Sequence, residues 1–254
     1  MRMTVIGCSG SFPGPESPAS SYLVQAEDAD GRIWSVLLDL GNGALGVLQR
    51  HLPLGSVDAV LLSHLHPDHC LDMCGLYVTQ KYRPGGPGTP VPVWGPVGTG
   101  ERLAQAYGGG EGSDLFAAFD FHDWVAGSPV TVGPFTITVA EVWHPVLAYA
   151  VRVEADGVVL VYSGDTDLCE GLVSLASGAT LLLADSAFVE GRDATRGIHM
   201  TGRRCAQAAV QAGVQRLMLT HLPAWNDPQV CRAQAAQVWP GEVELAQPEV
   251  TYSL

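Results

Sequence analysis

Hydrophobic positions follow two rhythms along this chain. Short, nearly continuous apolar runs at residues 4–6, 20–25, 32–38, 58–62, 91–94, 119–124, 130–132, 135–142, 149–154, 157–162, 180–184, 215–219, 243–245 and 250–252 read as strands, several of them buried on both faces. Between them, residues 44–51, 69–80, 98–107, 168–176 and 228–238 carry apolar positions at helical spacing. Thr201 caps a further helix that runs to Ala212 and stops at Gly213. The polar turn at residues 27–31 and the turn Ala155-Asp156-Gly157 join strands into hairpins. Strands followed by helices recur in two halves. That order predicts an α+β fold, two sheets packed face to face with helices outside.

The densest chemistry follows the 58–62 strand, in Ser63-His64-Leu65-His66-Pro67-Asp68-His69. Side chains on an extended strand end alternate with period two, so His64 and His66 project to one side. Pro67 turns the chain and brings Asp68 and His69 round. Imidazole and carboxylate without thiolate suit Zn²⁺, with Mn²⁺ or Fe²⁺ as the nearest alternatives. Three more strands deliver His144, Asp165 and His221 at their ends. His51 and His122 have no ligand-type neighbours and read as structural.

Composition narrows the setting. With 254 residues and 47% hydrophobic positions, the chain is long enough for one domain over 1–254 with a full core. Because ligands lie on both sides of it, the Pro/Gly segment 83–88 reads as a loop or lid at the edge of the site, not a linker. Gly108-Gly109-Gly110 reads as a mobile break. Thirteen Lys and Arg against 26 Asp and Glu give a net charge of −13, which opposes a long nucleic acid and leaves a small anionic substrate open. Six scattered cysteines read as small buried apolar residues, with Cys70 and Cys74 one turn apart on the 69–80 helix. A strand at the very start and the absence of a run near 20 apolar residues predict a cytoplasmic protein without a membrane segment.

The spacing His-x-His-x-Asp-His is the signature of the metallo-β-lactamase fold, and the chain resembles that superfamily from Val5 to His221. The resemblance implies a four-layer αβ/βα sandwich and two divalent ions. One would take His64, His66 and His144, the other Asp68, His69 and His221, with Asp165 bridging. It further implies that Asp39 supports the histidines from behind; a plain turn-forming Asp is the alternative. His66 stands where redox di-iron relatives carry Glu, which favours hydrolysis. Ser9 and Ser11, in Gly7-Cys8-Ser9-Gly10-Ser11, offer backbone N–H groups to an anionic ligand, or form an ordinary glycine-rich turn.

Two such ions about 3.5–4 Å apart would supply a hydroxide nucleophile, and Asp68 would take or orient its proton. His199, left outside the metal set, is the candidate proton donor to the departing oxygen, oriented by Asp185. An acid ending a strand and His-x-Thr opening a helix resemble the phosphodiesterase branch that includes tRNase Z, where the acid is usually Glu. Together with Asp-Leu-Gly-Asn-Gly, Tyr-Ser-Gly-Asp-Thr and Leu-Thr-His-Leu-Pro-Ala-Trp, the motifs look most like actinobacterial cyclic-nucleotide phosphodiesterases of this fold. The implied function is hydrolysis of a cyclic-AMP-like nucleotide to the monophosphate. Alternatives are a tRNA 3′-processing endonuclease, a thioester or lactone hydrolase, and a metal-binding protein without activity. Trp94, Trp143 and Trp225 are candidates for stacking a base, and the resemblance suggests a homodimer.

Overall fold

A computed structural model describes residues 1–109 and 113–254. Gly110, part of the expected glycine break, lies outside the described residues. The first half runs β1 (Arg2–Gly7), β2 (Ser21–Glu27), β3 (Ile33–Leu38), α1 (Ala44–Leu48), β4 (Ala59–Leu61), α2 (Pro67–Cys70), α3 (Met73–Tyr82), β5 (Val91–Gly95), α4 (Thr99–Tyr107), α5 (Leu115–Ala118) and β6 (Phe119–Asp123). The second runs β7 (Val130–Val132), β8 (Phe135–Glu141), β9 (Tyr149–Ala155), β10 (Val158–Tyr162), α6 (Glu170–Leu175), β11 (Leu181–Asp185), α7 (Gly202–Ala212), β12 (Arg216–Thr220), α8 (Pro228–Ala236), β13 (Val243–Leu245) and β14 (Thr251–Ser253).

Two seven-stranded sheets result, ordered β14-β1-β2-β3-β4-β5-β6 and β13-β12-β11-β10-β9-β8-β7. Each half begins antiparallel and ends parallel: β3 to β6 run together, as do β10 to β13. The last strand returns to the first sheet, where Arg2 pairs with Ser253.

Period-two alternation explains why the strands read as unbroken apolar runs. Val36 and Leu38 of β3, Leu61 of β4, Leu160 of β10 and Leu183 of β11 point into the core between the sheets. Their neighbours Leu37 and Val60 pack under the helices of the first half, and Val161 and Leu182 under those of the second. Each buried Leu or Val contributes roughly 1.5–3 kcal/mol of transfer free energy, so both faces of each sheet are stabilised. The expected sandwich of two sheets between two helical layers is the architecture seen.

Three local expectations are corrected. The single helix expected at 69–80 is split into α2 and α3, because Asp72 N–H leaves the helical ladder to donate to the Leu40 carbonyl at 3.2 Å, while its carboxylate accepts Leu45 N–H at 2.8 Å. Cys70 and Cys74 therefore sit on different helices. The Pro/Gly segment 83–88 is not at the edge of the site. Ten residues of α3 carry the chain about 15 Å back from the motif, and the Arg83 guanidinium packs against Gly55, ahead of β4. Finally, β4 ends at Leu61, so His64 and His66 lie on a loop beyond the strand. Short helices at Leu54–Ser56 and Leu115–Ala118 were not anticipated. Among the described residues no helix is long and apolar enough to cross a membrane.

Candidate metal centre

The chemistry collects where strands end. Beyond β4 come His64, His66, Asp68 and His69; β8 leads to His144, β10 to Asp165 and β12 to His221. Donor atoms of His64, His66, His144 and Asp165 lie within 4.8 Å of one another, and so do those of Asp68, His69, Asp165 and His221. Asp165 belongs to both groups. His69 Nε2 stands 3.2 Å from Asp165 Oδ1 and 3.3 Å from Asp68 Oδ2, and His221 Nε2 stands 3.3 Å from Asp165 Oδ2. In the other group His66 Nδ1 is 2.9 Å from His64 Nε2 and 3.2 Å from His144 Nε2.

These separations test whether a metal fits. Tetrahedral zinc with bonds of about 2.0–2.1 Å sets its ligands about 3.3 Å apart, close to the spacings seen. Among the described residues, Asp68 Oδ2, His69 Nε2 and Asp165 Oδ1 are buried and find no hydrogen-bond partner. Orphaned buried polar atoms cost roughly 1–3 kcal/mol each, and these three face one another across one point. The site is built for a cation. A third group, Asp165 with Asp185, His199 and His221, also falls within 4.8 Å. It is a poor ligand set, because His199 Nδ1 is already committed to Asp185 Oδ2 at 2.8 Å.

A ring of partners behind the histidines fixes which nitrogen is bare. His69 Nδ1–H donates to Asp39 Oδ2 at 2.7 Å, and His144 Nδ1–H donates to the Ile198 carbonyl at 2.9 Å. His221 Nδ1 meets Ser20 Oγ at 2.8 Å, and His64 Nδ1 meets Ser63 Oγ at 3.1 Å. In all four the Nε2 atom faces the cluster, as partners of metal-binding histidines usually arrange. Asp39 also accepts from Ser63 N–H and Ser63 O–H at 2.7 Å and from Tyr162 O–H at 2.8 Å. It adopts the left-handed region, φ 58°, so it makes the turn and supports His69 at once.

Protonation follows the same design. Burial, with charge from neighbouring imidazoles, pulls His64, His66, His144 and His221 below the usual histidine value. They are neutral, the form a metal needs. Burial pushes the Asp68 carboxyl up, but the neighbouring His69 and His221 imidazoles outweigh it and hold the group at about 2. Asp165 is likewise held well down against its burial, by His221, His69 and His64. His69 is the exception. Burial opposes its charge, yet Asp165 and Asp39 raise it well above the ordinary value.

Beside the cluster, the His199 ring lies 5.6 Å from that of His144 and 5.4 Å from that of His221. Asp185, at the end of β11, reaches it despite being a methylene shorter than Glu. Asp185 is itself held by Ala187 N–H at 3.0 Å and Thr166 N–H at 3.1 Å. Ser11 N–H points at His221 Nε2 from 3.3 Å, whereas Ser9 is buried and pairs its backbone with Ala19 and Leu222. Ser11 thus reaches the cluster and Ser9 braces the loop behind it. Trp143 and Trp225 are exposed, the latter against Phe12, while Trp94 stacks on His122 and Trp124. Sequence reasoning missed Ser20, Ser63 and Tyr162. Only Ser63 had a local signal, its place directly before His64.

Comparison with known proteins agrees with this construction. A profile described as the beta-lactamase superfamily domain matches residues 35–222. An uncharacterized protein of Mycobacterium leprae is 42% identical, aligned over 100% of this chain and 89% of its own length. The probable metallo-hydrolase YhfI of Bacillus subtilis is 32% identical over 97% of both chains. Its crystal structure, described as a metallo-beta-lactamase fold protein, superposes with a TM-score of 0.87 over 99% of both. Ribonuclease Z of Mycobacterium bovis is 30% identical over 96% of this chain and 95% of that enzyme. With sheets, strand-end ligands and profile all in agreement, this chain belongs to the beta-lactamase superfamily and adopts the metallo-β-lactamase fold.

Proposed function

We propose that the protein is a metal-dependent phosphodiesterase that opens a small cyclic nucleotide, such as cyclic AMP, to the nucleoside monophosphate. The observation that carries this reading is the Asp185–His199 pair, a hydrogen-bonded donor set at 2.8 Å against the edge of the cluster. His64, His66 and His144 would hold one divalent ion and Asp68, His69 and His221 the other, with Asp165 shared. The nitrogen and oxygen donors suit Zn²⁺ best, Mn²⁺ or Fe²⁺ next. Bound, such a pair lowers the pKa of water between the ions and offsets charge on the phosphoryl oxygens.

The chain's own groups do the rest. Asp68, held ionised at the edge of the cluster, orients the attacking water. A ribose alkoxide is a poor leaving group and needs a proton as it departs. His199 supplies it from Nε2, since Nδ1–H is engaged by Asp185. Burial works against the charged imidazole, but Asp185 and then Asp165 raise it to about 9, so the donor is loaded at neutral pH. The net charge of −13 supports a small substrate over a long RNA.

The 30% identity to Ribonuclease Z supports tRNA 3′ processing as the second reading. One experiment separates them: metal-quantified protein, and His199→Ala beside it, incubated with 3′,5′- and 2′,3′-cyclic AMP and with precursor tRNA. AMP formed by the wild type and reduced by roughly 10²–10⁴-fold in the variant is expected of a general acid. Two metals bound but no AMP from either isomer would sink the reading, and cleaved tRNA would install the second.

A further inference from the structure

The segment that carries His199 is long and irregular. Between β11 and α7 the chain runs from Ser186 to Thr201 with one isolated bridge, Phe188 to Thr201, as its only strand-like pairing. A proton donor at the end of such a segment has to be fixed by something other than a ladder. The site described above supplies Asp185 for the imidazole and His144 for the Ile198 carbonyl, and neither holds the backbone on the near side of Ile198.

Asp167 does. It lies two residues beyond Asp165, fully buried, and takes no part in the metal cluster. Its Oδ2 accepts Gly197 N–H at 2.9 Å and the Arg196 Nε–H; its Oδ1 accepts Leu168 N–H at 2.7 Å, Arg204 Nη1–H, and Arg196 Nη2–H at 3.3 Å. The backbone N–H of Asp167 donates to the Trp143 carbonyl at 3.0 Å. One side chain and its own amide therefore join the strand end bearing Asp165, the turn bearing His144, helix α7 through Arg204, and the segment bearing His199. From the outer side the Trp143 indole lies on Gly197, where an added Cβ would come within 2.6 Å of Trp143 Nε1 at a φ of +77°. The backbone at Gly197 is held between a carboxylate inside and an indole outside. The next residue hands its carbonyl to His144 at 2.9 Å, and the one after it hands Nδ1–H to Asp185 at 2.8 Å.

We propose that Asp167 is a positioning residue for proton donation: by clamping Gly197 and Arg196 it sets the reach of His199 to the departing oxygen. The proposal rests on the phosphodiesterase reading and names the step of that reaction that Asp167 controls. The proton still moves from His199 Nε2 to the leaving oxygen as the P–O bond breaks; Asp167 gains and loses none.

Leaving-group chemistry isolates that step. A ribose alkoxide requires the proton, whereas nitrophenolate leaves without one, so bis(4-nitrophenyl) phosphate bypasses His199 while using the same metals. Asp167→Asn keeps the shape and weakens the clamp from inside. Gly197→Ala disturbs it from outside and leaves the buried Asp167–Arg204 pair intact, which covers the case in which Asp167→Asn fails to fold. Misplacement of a reacting group by about 1 Å costs about 100-fold in rate. The expected result for both variants is therefore a kcat on cyclic AMP lower by about that factor, with KM, metal content and the nitrophenyl rate unchanged. Equal losses on both substrates, or loss of metal in step with activity, would overturn the proposal and assign Asp167 a general structural role. A wild type that turns over the nitrophenyl diester but no cyclic nucleotide would instead refute the cyclic-nucleotide reading on which the proposal rests.

Discussion

Replacing Asp39 by Asn tests how far the metal centre depends on its buried support. Asp39 is fully buried and accepts four hydrogen bonds, three on Oδ2 and one on Oδ1. Asn has the same shape and tolerates the left-handed backbone, so the turn itself is spared. It has only one acceptor oxygen. Placed where Oδ2 was, that oxygen keeps Ser63 O–H, His69 N–H and Tyr162 O–H, but the amide then opposes Ser63 N–H, donor to donor. An unsatisfied buried donor costs about 1–3 kcal/mol. Loss of the charge-assisted bond to His69 adds about 1 kcal/mol. The metal-free variant should therefore lose about 2–4 kcal/mol in denaturant titrations. Removing a carboxylate behind a ligand histidine also weakens metal binding by roughly 10–100-fold, read by competition with a chromophoric chelator. Lower stability with unchanged metal affinity would refute the reasoning, and would make Asp39 a turn residue and nothing more.

Two further outcomes follow from the same structure. Metal loading at pH 7 should release at least one proton per chain, because a metal displaces bound protons and His69 among the ligand histidines is raised while the others are lowered; calorimetry in buffers of different ionisation enthalpy counts the release, and release of none would contradict the assignment. As pH falls and the lowered histidines protonate in turn, the count rises and affinity drops. Leu183→Ala, in the core between the sheets, should cost about 2–5 kcal/mol in denaturant titrations, with metal stoichiometry unchanged; a cost under about 1 kcal/mol would mean that the inner core is looser than described.

What the sequence exposed and what it hid divide along one physical line. The fold was legible because apolar runs buried on two faces and helical periodicity both act over a few residues. The ligand-type residues were legible because each follows a strand end, a place that periodicity locates. Features set by distant partners were not. Nothing in residues 69–80 shows that Asp72 will turn to Leu40 and Leu45 and split the helix. Ser20 meets His221 across 201 positions, and Tyr162 meets Asp39 across 123; both residues read as ordinary members of strand patterns. The place at the edge of the site expected of residues 83–88 failed for a related reason: composition says that a segment is a loop, while topology decides which end of the sheet it occupies.

The same division explains why metal chemistry is easier to read than the handling of the leaving group. Metal donors need only converge, and two facing sheets bring their strand ends together. Directing a proton needs an irregular segment fixed at one point, which requires contacts that no periodicity encodes. Asp167 illustrates this. In Ser-Gly-Asp-Thr-Asp it reads as a second turn residue, and its partners Arg196 and Arg204 lie 29 and 37 positions away. Arg204 is drawn inward to a buried carboxylate that the exposed Arg196 also reaches, in a chain with only 13 basic residues against 26 acidic ones; the buried pair is a costly use of scarce positive charge, since taking an ion pair out of water carries a desolvation penalty. Stability alone is a weak reason to keep such a pair. Fixing the approach of His199 to a substrate oxygen is a stronger one, and it is the reason that the leaving-group comparison is able to reject.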